Sequence, residues 1–175
     1  MRVFRLMRLA PLLVCLMGSA CLTTDLDMQA GHEAIRNADW STAIERYQVA
    51  AARFRDDSPP SKRYALAIYY QADAMLTEPM SESAPEAEAL TREALAIWDD
   101  VVGPRRLSTL AFLSRIAQAR KDQNDSAGAA EIYVLCDEIA AENLPPEHDL
   151  MRARGSGLRF ELAAHPDEIE LLLQP

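Results

Sequence analysis

Histidine, cysteine and carboxylate side chains carry most acid–base, nucleophilic and metal chemistry in proteins, and in this sequence they are dispersed. His32, His148 and His165 lie far apart, and none has a second metal ligand four residues away. The sequence contains no G-x-S-x-G, Walker, H-E-x-x-H or C-x-x-C motif, and its glycines are too scattered to cradle a phosphate. We therefore predict that the protein is not an enzyme and holds no metal or cofactor.

The numerous carboxylates do not change this prediction. Glu82, Glu86 and Glu88 follow one another at spacings typical of a solvated helix face. A pair of acids can hydrolyse a glycosidic bond when the two carboxyl groups flank it, but nothing in the sequence singles out such a pair. An unrecognised hydrolase remains an alternative without a motif to support it.

The residues before Cys21 form a distinct segment at the N-terminus. Three arginines and no acid precede an apolar stretch over residues 9–17, and Gly18, Ser19 and Ala20 come directly before Cys21. A basic start, a short apolar segment and small residues are typical of a bacterial export signal. The apolar stretch is roughly half of the ~20 residues that a spanning helix needs. We predict that residues 1–20 are a cleaved leader.

The segment "MGSAC" resembles the lipobox of bacterial lipoproteins, in which the cysteine is diacylated and becomes the new N-terminus. Ser19, Ala20 and Cys21 match that motif, whereas Gly18 stands where the family usually has Leu. The resemblance implies a lipid anchor on Cys21, and Leu22 after it favours the outer membrane. The alternative is ordinary cleavage that releases a soluble periplasmic protein.

The charge and composition of the chain restrict the classes of partner that we expect. The chain carries 18 Lys and Arg residues against 27 Asp and Glu, and three of the arginines lie in the leader, so the mature net charge is about −12. Phosphate repulsion then argues against nucleic acid as a partner. The same charge predicts that membrane contact comes from the acyl chains rather than from electrostatic adhesion. Abundant Ala, Leu, Glu and Arg favour helix.

The elements are clearest in "QAGHEAIRNADWSTAIERYQVAAARF", residues 29–54. Small and apolar residues recur there at helical spacing on both sides of a polar break at 37–39, and Asp39 is placed to cap a second helix. This predicts a hairpin of two closely packed helices.

The hairpin resembles the tetratricopeptide repeat (TPR), whose paired helices meet through small residues. Gly31, Ala43, Tyr47 and Ala50 fill the small, small, aromatic and small places of that family in order, and Trp40 fits the aromatic just after the turn. The family's proline is displaced to 59–60.

The pattern returns in "ARKDQNDSAGAAEIYVLCDEI". Ala117, Ala129, Tyr133 and Cys136 occupy the same four places after the break at 124–125. Cys136 therefore stands where a small packing residue belongs, and we predict a buried, unreactive thiol.

A looser copy lies between these two hairpins. Ser61 is placed to cap a helix, and Ser83 with Glu86 predicts a capping box at the start of the next one. Thr91 replaces the aromatic residue of the repeat. Four residues of the first of these helices share one face: Ala65, Ile68, Ala72 and Met75.

The spacing between successive repeats indicates which type of TPR the chain resembles. Segments 101–110 and 143–152, like Ala87 and Ala129, are separated by 42 residues, and the Gly-Pro loop at 103–104 is similar to the kinesin-light-chain type of TPR. Residues 149–164 and 167–175 predict an imperfect fourth hairpin that closes the stack. The predicted fold is all-α: a TPR-like α-solenoid of about three hairpins plus a C-terminal capping helix or imperfect hairpin, over residues 27–175, with 21–26 as a short tether.

In TPR proteins the first helix of each hairpin lines a concave groove that binds a peptide or protein partner. The resemblance transfers this role to ten residues: Met28, His32, Ile35, Arg36, Leu66, Tyr69, Asp73, Ser114, Gln118 and Lys121. Ile35 and Tyr69 fit equally well as residues that pack between helices. The sequence thus predicts a membrane-anchored adaptor of the bacterial envelope that faces the periplasm, with a soluble exported binding protein as the alternative.

Overall fold

The computed structural model describes residues 26–56, 60–79 and 82–145, and within these ranges the chain is all-helical without strands. The predicted leader, residues 21–25 of the predicted tether with Cys21, and the predicted fourth hairpin lie outside the described residues. We number the helices in chain order: α1 (26–36), α2 (Trp40–Phe54), α3 (Lys62–Thr77), α4 (Ala84–Val102), α5 (Thr109–Asp122) and α6 (Ser126–Asn143).

Successive helices pack against one another from α2 to α6, and α3 also touches α5. Helix α1 lies on α2 and α3, because Ala34 shares one core cluster with Tyr47 and Ala74. The arrangement is consistent with three helical hairpins, α1–α2, α3–α4 and α5–α6, in which the first helices are neighbours. The predicted all-α hairpin fold is confirmed for the described residues.

The first and third hairpins turn in the same way. Asp39 N–H donates to the Ala34 carbonyl at 2.9 Å, and Asp125 N–H donates to the Arg120 carbonyl at 2.8 Å. These six-residue closures accompany a left-handed residue before each aspartate, namely Ala38 with φ 55° and Asn124 with φ 64°. The aspartates then cap α2 and α6, as the Asp39 carboxylate accepts the Thr42 N–H and the Asp125 carboxylate accepts the Gly128 N–H.

The second hairpin departs from this pattern. Ser61 caps α3 as predicted, by accepting the Tyr64 N–H at 3.3 Å. Ser83 stands at the N-cap of α4 but makes no side-chain capping bond, so the predicted capping box does not form. Thr91 is buried in the place of the aromatic residue, and its hydroxyl donates to the Ala87 carbonyl at 2.7 Å. A bonded hydroxyl is tolerated there because its polar atom is satisfied.

Small residues lie at the helix contacts, as the repeat predicts. Eleven alanines of the described helices are fully buried: Ala43, Ala50, Ala65, Ala67, Ala72, Ala74, Ala87, Ala94, Ala111, Ala117 and Ala119. The largest buried side chains fill the spaces between them: Trp98, Tyr47, Tyr69, Phe112, Leu110, Ile116 and Ile139. Because the alanine side chains are small, neighbouring backbones approach closely at these positions. The large side chains fill the volume that remains between the helices.

The connection between α4 and α5 is the Gly-Pro loop at 103–108. Gly103 has φ 102°, a conformation that other residues rarely adopt, and it ends α4. Ser108 accepts the Trp98 indole N–H at 2.9 Å, so the loop is fixed to the core by a buried hydrogen bond. Within the described part of the chain, no helix is both long enough and apolar enough to cross a bilayer.

Candidate partner-binding face

The three first helices adjoin, so the structure brings the predicted groove positions onto neighbouring elements. The His32 ring of α1 lies edge-on against Tyr70 of α3, with ring centres 4.7 Å apart. The Tyr69 ring of α3 lies 4.8 Å from Phe112 of α5. We call the surface formed by α1, α3 and α5 the first-helix face.

Tyr69 is part of the core rather than of this surface. Its side chain is 0% exposed and packs against Tyr70 and Phe112, so the packing alternative describes Tyr69. The hydroxyl lies beside the Asp73–Arg115 pair without a well-aligned hydrogen bond, and burial raises the pKa of Tyr69. Tyr69 lies on the side of α3 that faces α5, and α5 packs so closely that the ring has no accessible surface.

Asp73 is also engaged inside the protein. The Arg115 Nε atom of α5 lies 2.5 Å from the Asp73 carboxylate, and the two side chains are only 9% and 20% exposed. Burial raises the pKa of Asp73, and the Arg115 guanidinium opposes that shift. This ion pair joins α3 to α5, and its cost of desolvation is recovered only while both partners are present.

Sequence reasoning missed Arg115 as the partner of Asp73. The signal was a lone arginine inside the apolar run "TLAFLSRIAQA", where a charge needs a counter-charge when it is buried. Ser114, the neighbouring predicted groove residue, is buried as well. Its hydroxyl donates to the Ala111 carbonyl at 2.9 Å, so Ser114 does not present a polar group to a partner.

Three of the four α1 residues of the predicted groove, Met28, His32 and Ile35, are half-buried. His32 Nδ1 and the Tyr47 hydroxyl are 2.8 Å apart, and burial raises the pKa of Tyr47, which favours the tyrosine as the donor. Met28 and Ile35 border the core clusters of the first hairpin, so both contribute to packing as well as to the surface. Ile35 therefore packs between helices while part of its side chain remains accessible.

The remaining predicted residues offer accessible groups. Arg36 is exposed in the last turn of α1, and Lys121 is partly exposed in the last turn of α5. Leu66 is partly exposed against the core of α3, and the Gln118 amide donates to Asp122 at 2.8 Å. The accessible part of the first-helix face thus has an apolar side chain on α3 and one cation on each flanking helix.

A second polar cluster lies at the start of α4, away from the predicted groove. The Glu88 carboxylate accepts from Arg92 at 2.7 Å, from Gln123 at 2.8 Å and from Arg120 at 3.2 Å. These hydrogen bonds hold the pKa of Glu88 below its ordinary value despite partial burial. The cluster joins α4 to the α5–α6 turn, so it stabilises the contact between the second and third hairpins.

Two further features bear on chemistry. A half-open cavity of about 290 Å³ lies at the end of α3, and Met75, Thr77 and Asp122 are among the residues that line it. Cys136 is buried, and burial raises its thiol pKa to about 12. Among the described residues, no group of His, Cys, Asp and Glu side chains is arranged to hold a metal ion.

Comparison of the chain with protein-family models, with curated protein sequences and with solved structures gives no match. The geometry of the described helices is therefore the basis for a functional conclusion.

Proposed function

We propose that this protein is a TPR-type adaptor that is anchored by lipid on Cys21 in the bacterial envelope and binds a partner protein on its first-helix face. The observation that carries the proposal is the repeated hairpin, because three successive hairpins place α1, α3 and α5 side by side. Side-by-side first helices form a continuous surface that a partner segment can lie across. No catalytic step is part of the proposal.

The chemistry of the accessible residues suggests what the partner segment contains. Arg36 and Lys121 flank α3 in a protein whose formal net charge is −9. An apolar side chain of the partner would contact Leu66, while acidic side chains would pair with the two cations. Ion pairs at the rim of an interface fix register and speed association more than they raise affinity.

The partner site is tested by reversing both cations. We expect Arg36→Glu combined with Lys121→Glu to weaken recovery of a crosslinked partner roughly tenfold, about 1.4 kcal/mol, because two attractive charges become repulsive. The measurement is quantitative crosslinking of the detergent-extracted full-length protein. The matched control reverses two cations away from this face, Arg55→Glu with Arg106→Glu, and should leave recovery unchanged.

Equal partner recovery from the two double variants would contradict a site on the first-helix face. Equal thermal melting of both variants must accompany the comparison, since loss of folding would mimic loss of binding. Both arginines of the control and both cations of the test are at least partly exposed, so each double variant should fold.

The lipid anchor is tested separately by the mass of the mature protein. Protein purified from membranes should begin at Cys21 and carry the mass of its acyl chains, and Cys21→Ser should release it to the soluble fraction. Two or more chains are needed for firm attachment, because a single chain binds only marginally. An unmodified Cys21 in membrane-extracted protein would favour the soluble exported alternative, to which Gly18 in the lipobox points.

A further inference from the structure

The connections between helices lie on two opposite edges of the described structure. The turn edge contains the described residues of the connections within hairpins, at 37–39, 78–79, 82–83 and 123–125. The loop edge contains the described residues of the connections between hairpins, at 55–56, 60–61 and 103–108, together with the start of α1 and the end of α6. Antiparallel packing within each hairpin accounts for this division.

Side-chain contacts define the loop edge directly. Asp27 at the start of α1 pairs with Arg53 at the end of α2, at 2.5 Å. Lys62 at the start of α3 lies over the ring of Trp98 near the end of α4, 5.8 Å from its centre. In the loop after α4, the backbone carbonyl of Arg105 accepts from Asn143 at the end of α6. The five helix ends and the two loops are therefore parts of one edge.

Charge is distributed unequally between these edges. The described residues of the loop edge carry six cations: Arg53, Arg55, Lys62, Arg63, Arg105 and Arg106. Six acids balance them there: Asp27, Asp56, Asp99, Asp100, Glu138 and Glu142. The described residues of the turn edge carry three cations, Arg36, Arg120 and Lys121, against six acids: Asp39, Glu78, Glu82, Glu86, Asp122 and Asp125. In an acidic protein, the loop edge is the side that an anionic surface repels least.

Exposed apolar side chains also lie on the loop edge. Leu26 at the start of α1 is 58% exposed, and Val101 at the end of α4 is 43% exposed. Of the three large apolar side chains that are exposed in the described structure, only Val134 lies elsewhere. Apolar side chains among arginines and lysines are the pattern of proteins that lie at a lipid headgroup surface.

The position of the tether connects this edge to the membrane. Four residues lie between Cys21 and Leu26, and the five steps from one Cα atom to the next span at most about 18 Å in a fully extended chain. A lipid on Cys21 therefore holds the start of α1, and with it the loop edge, close to the headgroups. Charges at this distance are within about two Debye lengths of the surface at physiological salt, so the orientation responds to them.

We propose that the loop edge rests on the phosphate-bearing surface of the bilayer and that the turn edge points away from it. The proposal rests on the lipid anchor at Cys21 described above. Phosphate groups would contact exposed cations such as Arg55 and Arg106, while Leu26 and Val101 would enter the interfacial layer. The net charge alone predicts that only the acyl chains touch the membrane. The uneven charge of the two edges allows the loop edge to contact the headgroups as well.

Orientation is measured with one fluorescent label on each edge of the acylated full-length protein. Val101→Cys places the label on the loop edge and Asn37→Cys places it on the turn edge, both with Cys136→Ala. The protein is reconstituted into vesicles of phosphatidylethanolamine and phosphatidylglycerol, with and without brominated acyl chains. We expect brominated lipid to quench the Val101 label at least twofold more strongly than the Asn37 label. Equal quenching, or stronger quenching at Asn37, overturns the proposal.

Charge reversal tests the cause of the orientation. Arg55→Glu with Arg106→Glu should halve the quenching at Val101 or reduce it further, because two cations of the loop edge become anions. The matched pair on the turn edge, Arg36→Glu with Lys121→Glu, should leave that quenching intact. Unchanged quenching in the first pair would show that charge does not orient the protein.

Two other outcomes are distinguishable. An unacylated Cys21, read from the mass before reconstitution, defeats the anchor and with it this inference. Acylated protein whose Val101 label is shielded only when a partner protein is added overturns the orientation alone, because the loop edge is then a protein-binding surface. The anchor would remain in that case.

Discussion

The first and third hairpins share one sequence pattern but pack their aromatic residues differently. In the first hairpin the Tyr47 ring is buried, and its atoms lie 2.5–2.8 Å from the position that a Cβ atom on Gly31 would occupy. In the third hairpin the corresponding residues are Ala117, which is buried, and Tyr133, which is only partly buried. The first hairpin thus combines a glycine with a fully buried ring, whereas the third combines an alanine with a partly buried ring.

Gly31 explains how the ring of the first hairpin reaches its buried position. A glycine lets the aromatic ring lie directly on the backbone of α1, where the Tyr47 hydroxyl also reaches His32. The ring then stacks on Tyr70 of α3, so it joins the first hairpin to the second. In the third hairpin the ring of Tyr133 is only partly buried, and the residues that follow this hairpin lie outside the described ranges. Deep burial of the Tyr47 ring therefore combines the bare backbone of Gly31 with a cover from the next hairpin.

The largest effect should come from removing the two rings. We expect Tyr47→Ala to lower the free energy of unfolding by about 3–5 kcal/mol, because a buried ring leaves a cavity. Tyr133→Ala should cost about 1 kcal/mol, since its ring is partly exposed and less area is lost from the core. Denaturant unfolding followed by circular dichroism measures both changes. Equal losses would mean that the two hairpins do not differ in the way described.

The small residues themselves should have the next largest effect. Gly31→Ala should destabilise by about 1–3 kcal/mol, because its methyl group meets the buried Tyr47 ring. Ala117→Gly should cost about 1 kcal/mol, the usual loss for glycine in a helix. A double-mutant cycle locates the cause: with Tyr47→Ala already present, Gly31→Ala should no longer destabilise. A stabilising Gly31→Ala in the otherwise native chain would show that the ring moves aside freely.

The hairpins were predictable from sequence because their determinants are local. Apolar spacing, the polar breaks and the caps at Asp39 and Ser61 all lie within one or two helical turns of the residues they organise. The buried faces of α3 and of α2 follow from the same spacing. Apolar spacing, polar breaks and caps determine where each helix begins and ends and which helices pair. The all-α hairpin arrangement could therefore be predicted from the sequence.

The surface of the first helices was less predictable because it depends on packing between distant elements. Tyr69 and Asp73 share a face of α3, but only the contact with α5 determines that one is buried and the other paired with Arg115. A family resemblance assigns a register position to the groove without fixing how closely the next helix approaches. Thr91 and Trp98 show the same limit, since α4 carries its large ring about two turns beyond the place expected from the repeat.

The two aspartate caps offer a smaller comparison between the hairpins. Asp39→Ala and Asp125→Ala should each lower Tm by about 2–4 °C, because each removes an acceptor for an N–H in the first turn. Hydrogen bonds with Thr42 lower the pKa of Asp39, so its stabilising effect is present above pH 3.8 and is lost as the pH falls below that value. Asp39→Asn should keep the cap and remove that pH dependence. Melting curves between pH 3 and pH 7 test both statements.

The smallest difference between the two hairpins should be found at the fourth place of the repeat, where the first hairpin has Ala50 and the third has Cys136. Both side chains are buried, and the Cys136 thiol has a pKa of about 12, so it is almost wholly protonated at pH 8. We expect iodoacetamide to alkylate Cys136 at least about 100-fold more slowly in the folded protein than in urea, measured with Cys15→Ser and Cys21→Ser present. Moving the thiol, by Ala50→Cys with Cys136→Ala, should give the same protection because the two places are equivalent. Fast labelling at one place only would show that the hairpins open independently, and the slower thiol would mark the more stable hairpin.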